Sequence, residues 1–196
     1  RVYIAPHPDC LVIYITAGLD ARYYRLDNGR LRWIELDLPE SVELRRQFFS
    51  DTDRHRFLAA NALDSTWLND IERAPHTLII IEGLLMYFDE ADVRHLLGML
   101  TDHFPGSELL VEVLGHSQAK RTDRSDMVSH TQAAFKWGIR QAAELGEWFS
   151  ALDYVTDVSI YDRHVERWHD LSIAWPAPLA TLRHTANRIV HLRTKA

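Results

Sequence analysis

Short apolar runs alternate with amphipathic segments along the chain, and this alternation predicts β-strands that take turns with α-helices. A parallel strand buried on both faces has a continuous run of apolar residues, whereas a helix packed on a sheet has apolar residues at helical spacing. The predicted strands are residues 11–15, 31–36, 56–63, 77–81, 109–114, 154–161 and 188–193. The pattern therefore predicts an α/β fold, with a mostly parallel sheet covered on both faces and closed by two antiparallel strands.

The helix that follows the fourth strand has the strongest pattern. Asp89 can cap its start, and Pro105-Gly106 ends it. Its apolar positions are Val93, Leu96, Leu97, Leu100 and Phe104. Further helices are predicted at residues 41–49, 65–71 and 131–149, and residues 116–150 are interpreted as an inserted or substrate-side helical region of a single domain spanning 1–196.

Composition excludes several classes of protein. A chain of 196 residues fits one domain of ordinary size. Its formal charge of −6 opposes binding to phosphate backbones, so no nucleic-acid partner is expected. No apolar run reaches the roughly 18 residues of a membrane span. Cys10 is the single cysteine, which favours a reducing compartment such as the cytoplasm. The histidines show no metal-ligand spacing, so no metal site is predicted.

Polar residues follow four of the predicted strands. Thr16-Ala17-Gly18 follows the first, and Asp37, Asp64 and Glu82 follow the next three. Ligands of open parallel sheets bind outside the carboxyl ends of the strands, so these residues are expected to converge on one crevice. Any one of the acids could instead serve only to cap the next helix.

The turn after the first strand resembles a dinucleotide fingerprint that lacks its first glycine, and Asp37 lies where an acid would bind a ribose diol. Asp20 sits inside this turn, however, and a pyrophosphate requires a turn free of negative charge. S-adenosylmethionine fits an acidic crevice better, because it has a sulfonium, an ammonium and a ribose diol but no phosphate.

Four ordered motifs resemble those of the leucine carboxyl methyltransferase-like family, which includes tetracenomycin-type polyketide O-methyltransferases. They are Ala17-Gly18-Leu19-Asp20-Ala21-Arg22 with Tyr24-Arg25-Leu26, the stretch from Trp33 to Glu40 with Arg45-Arg46, Leu63-Asp64-Ser65-Thr66-Trp67-Leu68, and Glu82-Gly83-Leu84-Leu85-Met86-Tyr87. The resemblance implies a class I S-adenosylmethionine-dependent methyltransferase, with a seven-stranded Rossmann-like sheet and a small-molecule acceptor.

The resemblance also implies roles for individual residues. Ala17 and Gly18 would lie at the methionine part of the cofactor, Asp37 at the ribose, Leu63 with Asp64 at the adenine, and Glu82 beside the cofactor. Arg22 would either contact the cofactor or serve as the structural partner of nearby acids. Apart from the resemblance, our hypothesis is that Tyr87 and His116 face the acceptor, although Tyr87 could simply pack under the next helix and His116 could be an ordinary loop histidine.

The chain departs from the family pattern at three places. Thr16 replaces a glycine of the turn, although a β-branched residue is poorly suited to positive φ. Tyr14 stands where an acid or amide is common, and most of the family's N-terminal helical segment is missing from the sequence. The expected function is O-methylation of a small molecule, such as a carboxyl group of a polyketide-like metabolite. The alternatives are a noncatalytic binding relative and a nucleotide-dependent oxidoreductase.

Overall fold

A computed structural model of the chain describes residues 2–119, 134–159 and 187–196, and these residues form a seven-stranded sheet. The strands are β1 (Leu11–Ile15), β2 (Arg32–Asp37), β3 (His55–Ala59), β4 (Thr77–Ile81), β5 (Glu108–Val113), β6 (Leu152–Ser159) and β7 (Arg188–Thr194). Their order is β3-β2-β1-β4-β5-β7-β6, with β1 to β5 parallel and β7 antiparallel to both of its neighbours. The predicted mostly parallel sheet, closed by two final strands that pair antiparallel with each other, is confirmed.

Short helices join the strands. In the part of the chain that the structure describes, the α-helices are α1 (Arg22–Leu26), α2 (Pro39–Arg45), α3 (Glu90–His103) and α4 (His116–Ala119), and the 3-10 helices are Ser65–Asp70, Leu85–Tyr87 and Ala142–Glu147. Asp89 caps α3 as predicted, because its carboxylate accepts the amide of Asp92 at 3.0 Å. None of the helices in the described residues is long and apolar enough to span a bilayer.

The central strand β1 is buried on both faces. Leu11, Ile13 and Ile15 join the core on one face, whereas Val12 and Tyr14 join the core on the other. The predicted apolar face of α3 and its C-cap belongs to the first of these cores, which contains Val93, Leu96, Leu97, Leu100 and Phe104. Burying a side chain of this size contributes roughly 1.5–3 kcal/mol, so the two cores hold the strand ends in fixed positions.

The chain turns back at the centre of the sheet. It runs outward from β1 through β2 to β3 and then returns to form β4 on the other side of β1. Ile15 and Ile81 are register partners in the last position of β1 and β4. The carboxyl ends of these strands therefore lie side by side at the switch point, where doubly wound sheets bind ligands.

The predicted helix at 131–149 is wrong for residues 134–149, which are irregular except for the 3-10 helix Ala142–Glu147. Two glycines explain the difference. A Cβ on Gly138 would lie 2.9 Å from the carbonyl oxygen of Leu114, and a Cβ on Gly146 would lie 2.6 Å from the nitrogen of Tyr154. Both positions require close backbone approach to other elements, so this segment lies against the sheet. The rest of the predicted helix, and residues 160–161 of the sixth predicted strand, fall outside the described residues.

Candidate functional site

The turn after β1 is attached to the end of β4 through Thr16. The Thr16 hydroxyl donates to the carbonyl of Glu82 at 2.9 Å and lies 2.6 Å from the carbonyl of Ile15. Thr16 has φ +61°, a conformation that a β-branched residue rarely adopts. Such a conformation costs of order 1–3 kcal/mol, and hydroxyl bonds to backbone carbonyls offset part of that strain. The threonine that replaces the expected glycine thus joins two strand ends.

Asp37 organises the next part of the turn. One carboxylate oxygen accepts the amide of Gly18 at 2.9 Å, and the other accepts the amide of Leu38 at 2.8 Å. A carboxylate offers about four lone-pair sites, so two acceptor sites remain. The side chain is half-buried. Asp37 therefore both fixes the Gly18 backbone and keeps acceptors available for a ligand.

Arg22 bridges two acids above this turn. Its Nη2 atom lies 2.9 Å from Glu82 Oε2 and 3.0 Å from Asp20 Oδ2. Its guanidinium carbon also stands 5.0 Å from the centre of the Tyr14 ring. Arg22 is thus an ion-pair partner of both acids, and the site is consequently less acidic than its sequence indicates.

Tyr14 supplies a hydroxyl to the same cluster. The hydroxyl oxygen lies 3.3 Å from Glu82 Oε2 and 3.4 Å from Asp20 Oδ2, so its one proton can be donated to either carboxylate. Burial, followed by the negative charge of Glu82, raises the pKa of Tyr14 well above its ordinary value. The phenol remains protonated at neutral pH and serves as a donor, so the position is polar although it lacks the expected acid or amide.

The predicted position of Asp64 at a strand end is wrong. β3 ends at Ala59, and Asp64 comes five residues later as the N-cap of Ser65–Asp70. Its exposed carboxylate accepts the amide of Thr66 at 2.9 Å, and this backbone hydrogen bond lowers the pKa of Asp64. The carbonyl of Leu63 lies 3.1 Å from His95 Nε2. The structure brings Ala17, Gly18, Asp37, Arg22 and Glu82 to the centre of the sheet but shows no contact of Asp64 with that group.

Tyr87 and His116 follow the ends of β4 and β5. The Tyr87 ring lies 5.5 Å from the ring of Phe135, and Met86 accepts the amide of Lys136 at 2.7 Å. His116 Nδ1 lies 3.4 Å from the carbonyl of Gly138. Residues 135–138 thus contact both regions and border the same edge of the sheet as the turn after β1.

Glu112 is a residue of this edge that the sequence interpretation missed. Its two carboxylate oxygens accept the amide of Gly83 at 2.8 Å and the side-chain amide of Asn187 at 3.0 Å. Gly83 has φ +69°. Glu112 therefore fixes the turn after β4 and connects it to the start of β7. A charged residue inside the otherwise apolar run of residues 109–114 was the signal that could have identified it.

A cavity of about 240 Å³ lies at the opposite edge of the sheet, beside the first residues of β1 and β2. Its charged lining residues are Arg32, Asp53, Arg54, Arg56 and Glu72. Ligands of parallel sheets bind at the carboxyl ends of the strands, and the turn after β1 lies at that end with Asp37, Glu82 and Arg22. We therefore assign the candidate site to the switch point and not to this cavity.

The fold is that of class I S-adenosylmethionine-dependent methyltransferases. The chain superposes on the N-methyltransferase NodS from Bradyrhizobium japonicum, solved in complex with S-adenosylhomocysteine, with a TM-score of 0.60 and 13% identity, over 100% of this chain and 83% of that one. At this identity the likeness shows the fold alone.

The resemblance to the leucine carboxyl methyltransferase family is confirmed, because residues 9–101 match the sequence profile of that family. The chain is 29% identical to the tetracenomycin polyketide synthesis O-methyltransferase TcmP of Streptomyces glaucescens, over 85% of this chain and 64% of TcmP. It is 31% identical to the S-adenosyl-L-methionine-dependent methyltransferase dpfgK of Gibberella zeae, over 52% of this chain and 37% of dpfgK. The chain thus spans less than two thirds of the length of either relative.

Proposed function

We propose that the protein is an S-adenosylmethionine-dependent O-methyltransferase whose acceptor is a carboxyl group of a small, polyketide-like metabolite. The observation that carries the proposal is the convergence of Asp37, Glu82 and Arg22 on the turn after β1, at the switch point of a methyltransferase fold. The similarity to TcmP supports the acceptor class, because the name of that relative describes O-methylation in polyketide synthesis.

The residues present fit the cofactor chemically. Asp37 has two acceptor sites left for the ribose hydroxyls, and Ala17 with Gly18 would adjoin the methionine part. Arg22 would hold the cofactor carboxylate, and Glu82 would hold its ammonium. Leu63 and Asp64 would adjoin the adenine. Asp20 and Glu82 would repel a pyrophosphate, which argues against a dinucleotide at this turn.

The bound cofactor supplies a methyl group on a positively charged sulfur. The chain then has to orient the acceptor and exclude water, which removes much of the entropic barrier. A carboxyl acceptor has a pKa of about 4 and is ionised at neutral pH, whereas a phenol at about 10 requires a base. Tyr87 and His116 would orient the acceptor. Because a carboxyl acceptor is already ionised, the proposal requires no proton transfer from either residue.

Calorimetric titration of the chain with S-adenosylhomocysteine and, separately, with NAD tests the cofactor. We expect binding of the first and none of the second. NAD binding without S-adenosylhomocysteine binding would instead support an oxidoreductase.

Transfer of a labelled methyl group from S-adenosylmethionine to a panel of aromatic carboxylic acids and phenols tests the reaction. A methyl ester releases its label as methanol in alkali, whereas an aryl methyl ether does not. Label that is stable to alkali contradicts the carboxyl acceptor, and cofactor binding without transfer supports a noncatalytic relative.

The remaining proposals concern the partner and the location of the protein. We propose a small-molecule partner and a cytoplasmic location. The location is inferred from the single cysteine, Cys10, which is buried in the core.

A further inference from the structure

A cluster of buried charged groups lies beneath the turn after β1. Arg45 and Glu35 are each 1% exposed, and His55 is fully buried. Glu35 occupies a core position of β2, and His55 begins β3. Removing charges from water is unfavourable unless close partners compensate. An arginine exposed to solvent at the end of a helix would avoid this desolvation cost. The burial of Arg45 therefore indicates a specific function.

Arg45 directs its guanidinium at two backbone carbonyls of the turn. Nη1 donates to the carbonyl of Gly18 at 2.7 Å, and Nη2 donates to the carbonyl of Asp20 at 2.8 Å. A guanidinium presents its donors in a rigid planar fork. Two carbonyls separated by one residue are therefore held at a fixed spacing, which a single-point donor such as lysine cannot reproduce.

The guanidinium is itself fixed from three sides. Nε forms an ion pair with Glu35, and Glu35 Oε1 lies 3.2 Å from His55 Nε2. The guanidinium carbon lies 4.5 Å from the centre of the Phe49 ring and 5.0 Å from that of Phe57. These contacts surround the guanidinium on its other sides, so the two donors that reach the turn act as a support for it.

The support determines which backbone groups face away from the core. In a trans peptide the N–H points opposite to the C=O, and no peptide bond in the described residues is cis. The carbonyls of Gly18 and Asp20 point to Arg45, so the amides of Leu19 and Ala21 point away from it. Asp37 holds the Gly18 amide at 2.9 Å from the adjoining side.

We propose that Arg45 is a positioning residue for cofactor binding, with Glu35 and His55 as its supports. By holding the Gly18 and Asp20 carbonyls it fixes the backbone of the turn in the conformation that receives the amino-acid end of the cofactor. This inference rests on the proposed function, because it assigns the turn to S-adenosylmethionine.

The test compares Arg45→Lys with Arg46→Lys. The two residues are neighbours, but the Arg46 side chain is 51% exposed and pairs with Asp51. Lysine at position 45 keeps the positive charge opposite Glu35 but lacks the planar pair of guanidinium donors. We expect Arg45→Lys to raise the Kd for S-adenosylhomocysteine at least tenfold. In the cofactor-free chain it should speed amide hydrogen exchange at residues 17–21 by a similar factor. Arg46→Lys should change neither quantity.

Two further variants separate positioning from stability. Leu97→Ala removes a fully buried side chain of α3, and we expect it to lower the melting temperature while leaving the Kd and the local exchange near 17–21 unchanged. Glu35→Gln keeps the shape but weakens the ion pair, and it should shift both quantities in the direction of Arg45→Lys. Glu35→Gln provides the same test if Arg45→Lys does not fold.

The outcomes are distinguishable. A wild-type chain that does not bind S-adenosylhomocysteine overturns the proposed function. A wild-type chain that binds it, together with an Arg45→Lys variant of unchanged Kd and unchanged local exchange, overturns this inference alone. Equal loss of affinity in Leu97→Ala would also overturn it, because general destabilisation would then explain the effect.

Discussion

Replacing Asp37 with asparagine tests the site at the residue with the most defined contacts. The carboxylate accepts the amides of Gly18 and Leu38 at 2.9 and 2.8 Å. Asparagine retains one oxygen, so one of the two amides would face an NH₂ group instead of an acceptor. A charge-assisted hydrogen bond contributes roughly 1.5–3 kcal/mol. Because Asp37 is only half-buried, we expect the free energy of unfolding to fall by about 1–2 kcal/mol.

Asp37→Asn should also weaken cofactor binding, and the relative change in the Kd should exceed the relative change in the free energy of unfolding. The proposed ribose contacts use the remaining acceptors of a charged carboxylate. The loss of one such contact corresponds to a Kd for S-adenosylhomocysteine that is about 10–100 times higher, since each 1.4 kcal/mol is a factor of ten. Isothermal titration calorimetry measures the Kd, and urea unfolding measures the stability. Glu40→Gln is the matched control, because it removes one negative charge at an exposed position nearby.

A ligand analogue separates direct binding from an indirect effect on the turn. S-adenosylhomocysteine and its 2′-deoxy analogue, measured on wild type and Asp37→Asn, form a double-mutant cycle. If Asp37 binds the hydroxyl, wild type should discriminate between the two ligands and the variant should not. The same discrimination in both proteins would refute the ribose assignment, as would a Kd for Asp37→Asn equal to that of Glu40→Gln.

Two predictions concern other acids. Asp64→Ala removes the acceptor for the Thr66 amide and should lower the melting temperature by about 2–4 °C. Asp64→Asn keeps a good helix cap and should not lower it. If neither variant weakens S-adenosylhomocysteine binding, the adenine role of Asp64 is wrong. The hydrogen bond from Arg54 lowers the pKa of Asp27 to about 2, below the unfolded value of about 3.9. This pair should therefore stabilise the fold above pH 4, and the stabilisation should be lost as the pH falls towards 2. Urea unfolding should show the advantage of wild type over Asp27→Asn shrinking as the pH falls towards 2, and an advantage constant with pH would contradict the assignment.

The strands could be predicted from the sequence because parallel strands are buried on both faces. The runs 11–15 and 77–81 match β1 and β4 residue for residue. The cap at Asp89 and the apolar face of α3 were equally visible, since both depend on residues a few positions apart. Local patterns determine local structure in these elements, and the motifs at their ends carried the family resemblance.

The sequence predicted the structure less well where contacts between residues far apart along the chain decide the conformation. Residues 134–149 contain good helix formers, but Gly138 and Gly146 bring this segment against the backbone of other elements. Asp64 was expected at a strand end, but β3 ends at Ala59 and the acid caps a helix instead. In the first case the packing of neighbouring elements outweighs intrinsic propensity, whereas Asp64 takes the alternative role of a helix cap that the sequence also allowed.

The sequence by itself determined the α/β alternation, most strand positions and the set of polar residues that follow the strands. Only the tertiary structure decided that Arg22 joins Glu82 to Asp20, that Glu112 holds Gly83, and that Arg45 supports the turn from inside. The physical reason is separation along the chain. Apolar periodicity acts between residues a few positions apart, whereas these ion pairs and hydrogen bonds form only after the sheet order has brought distant strand ends together.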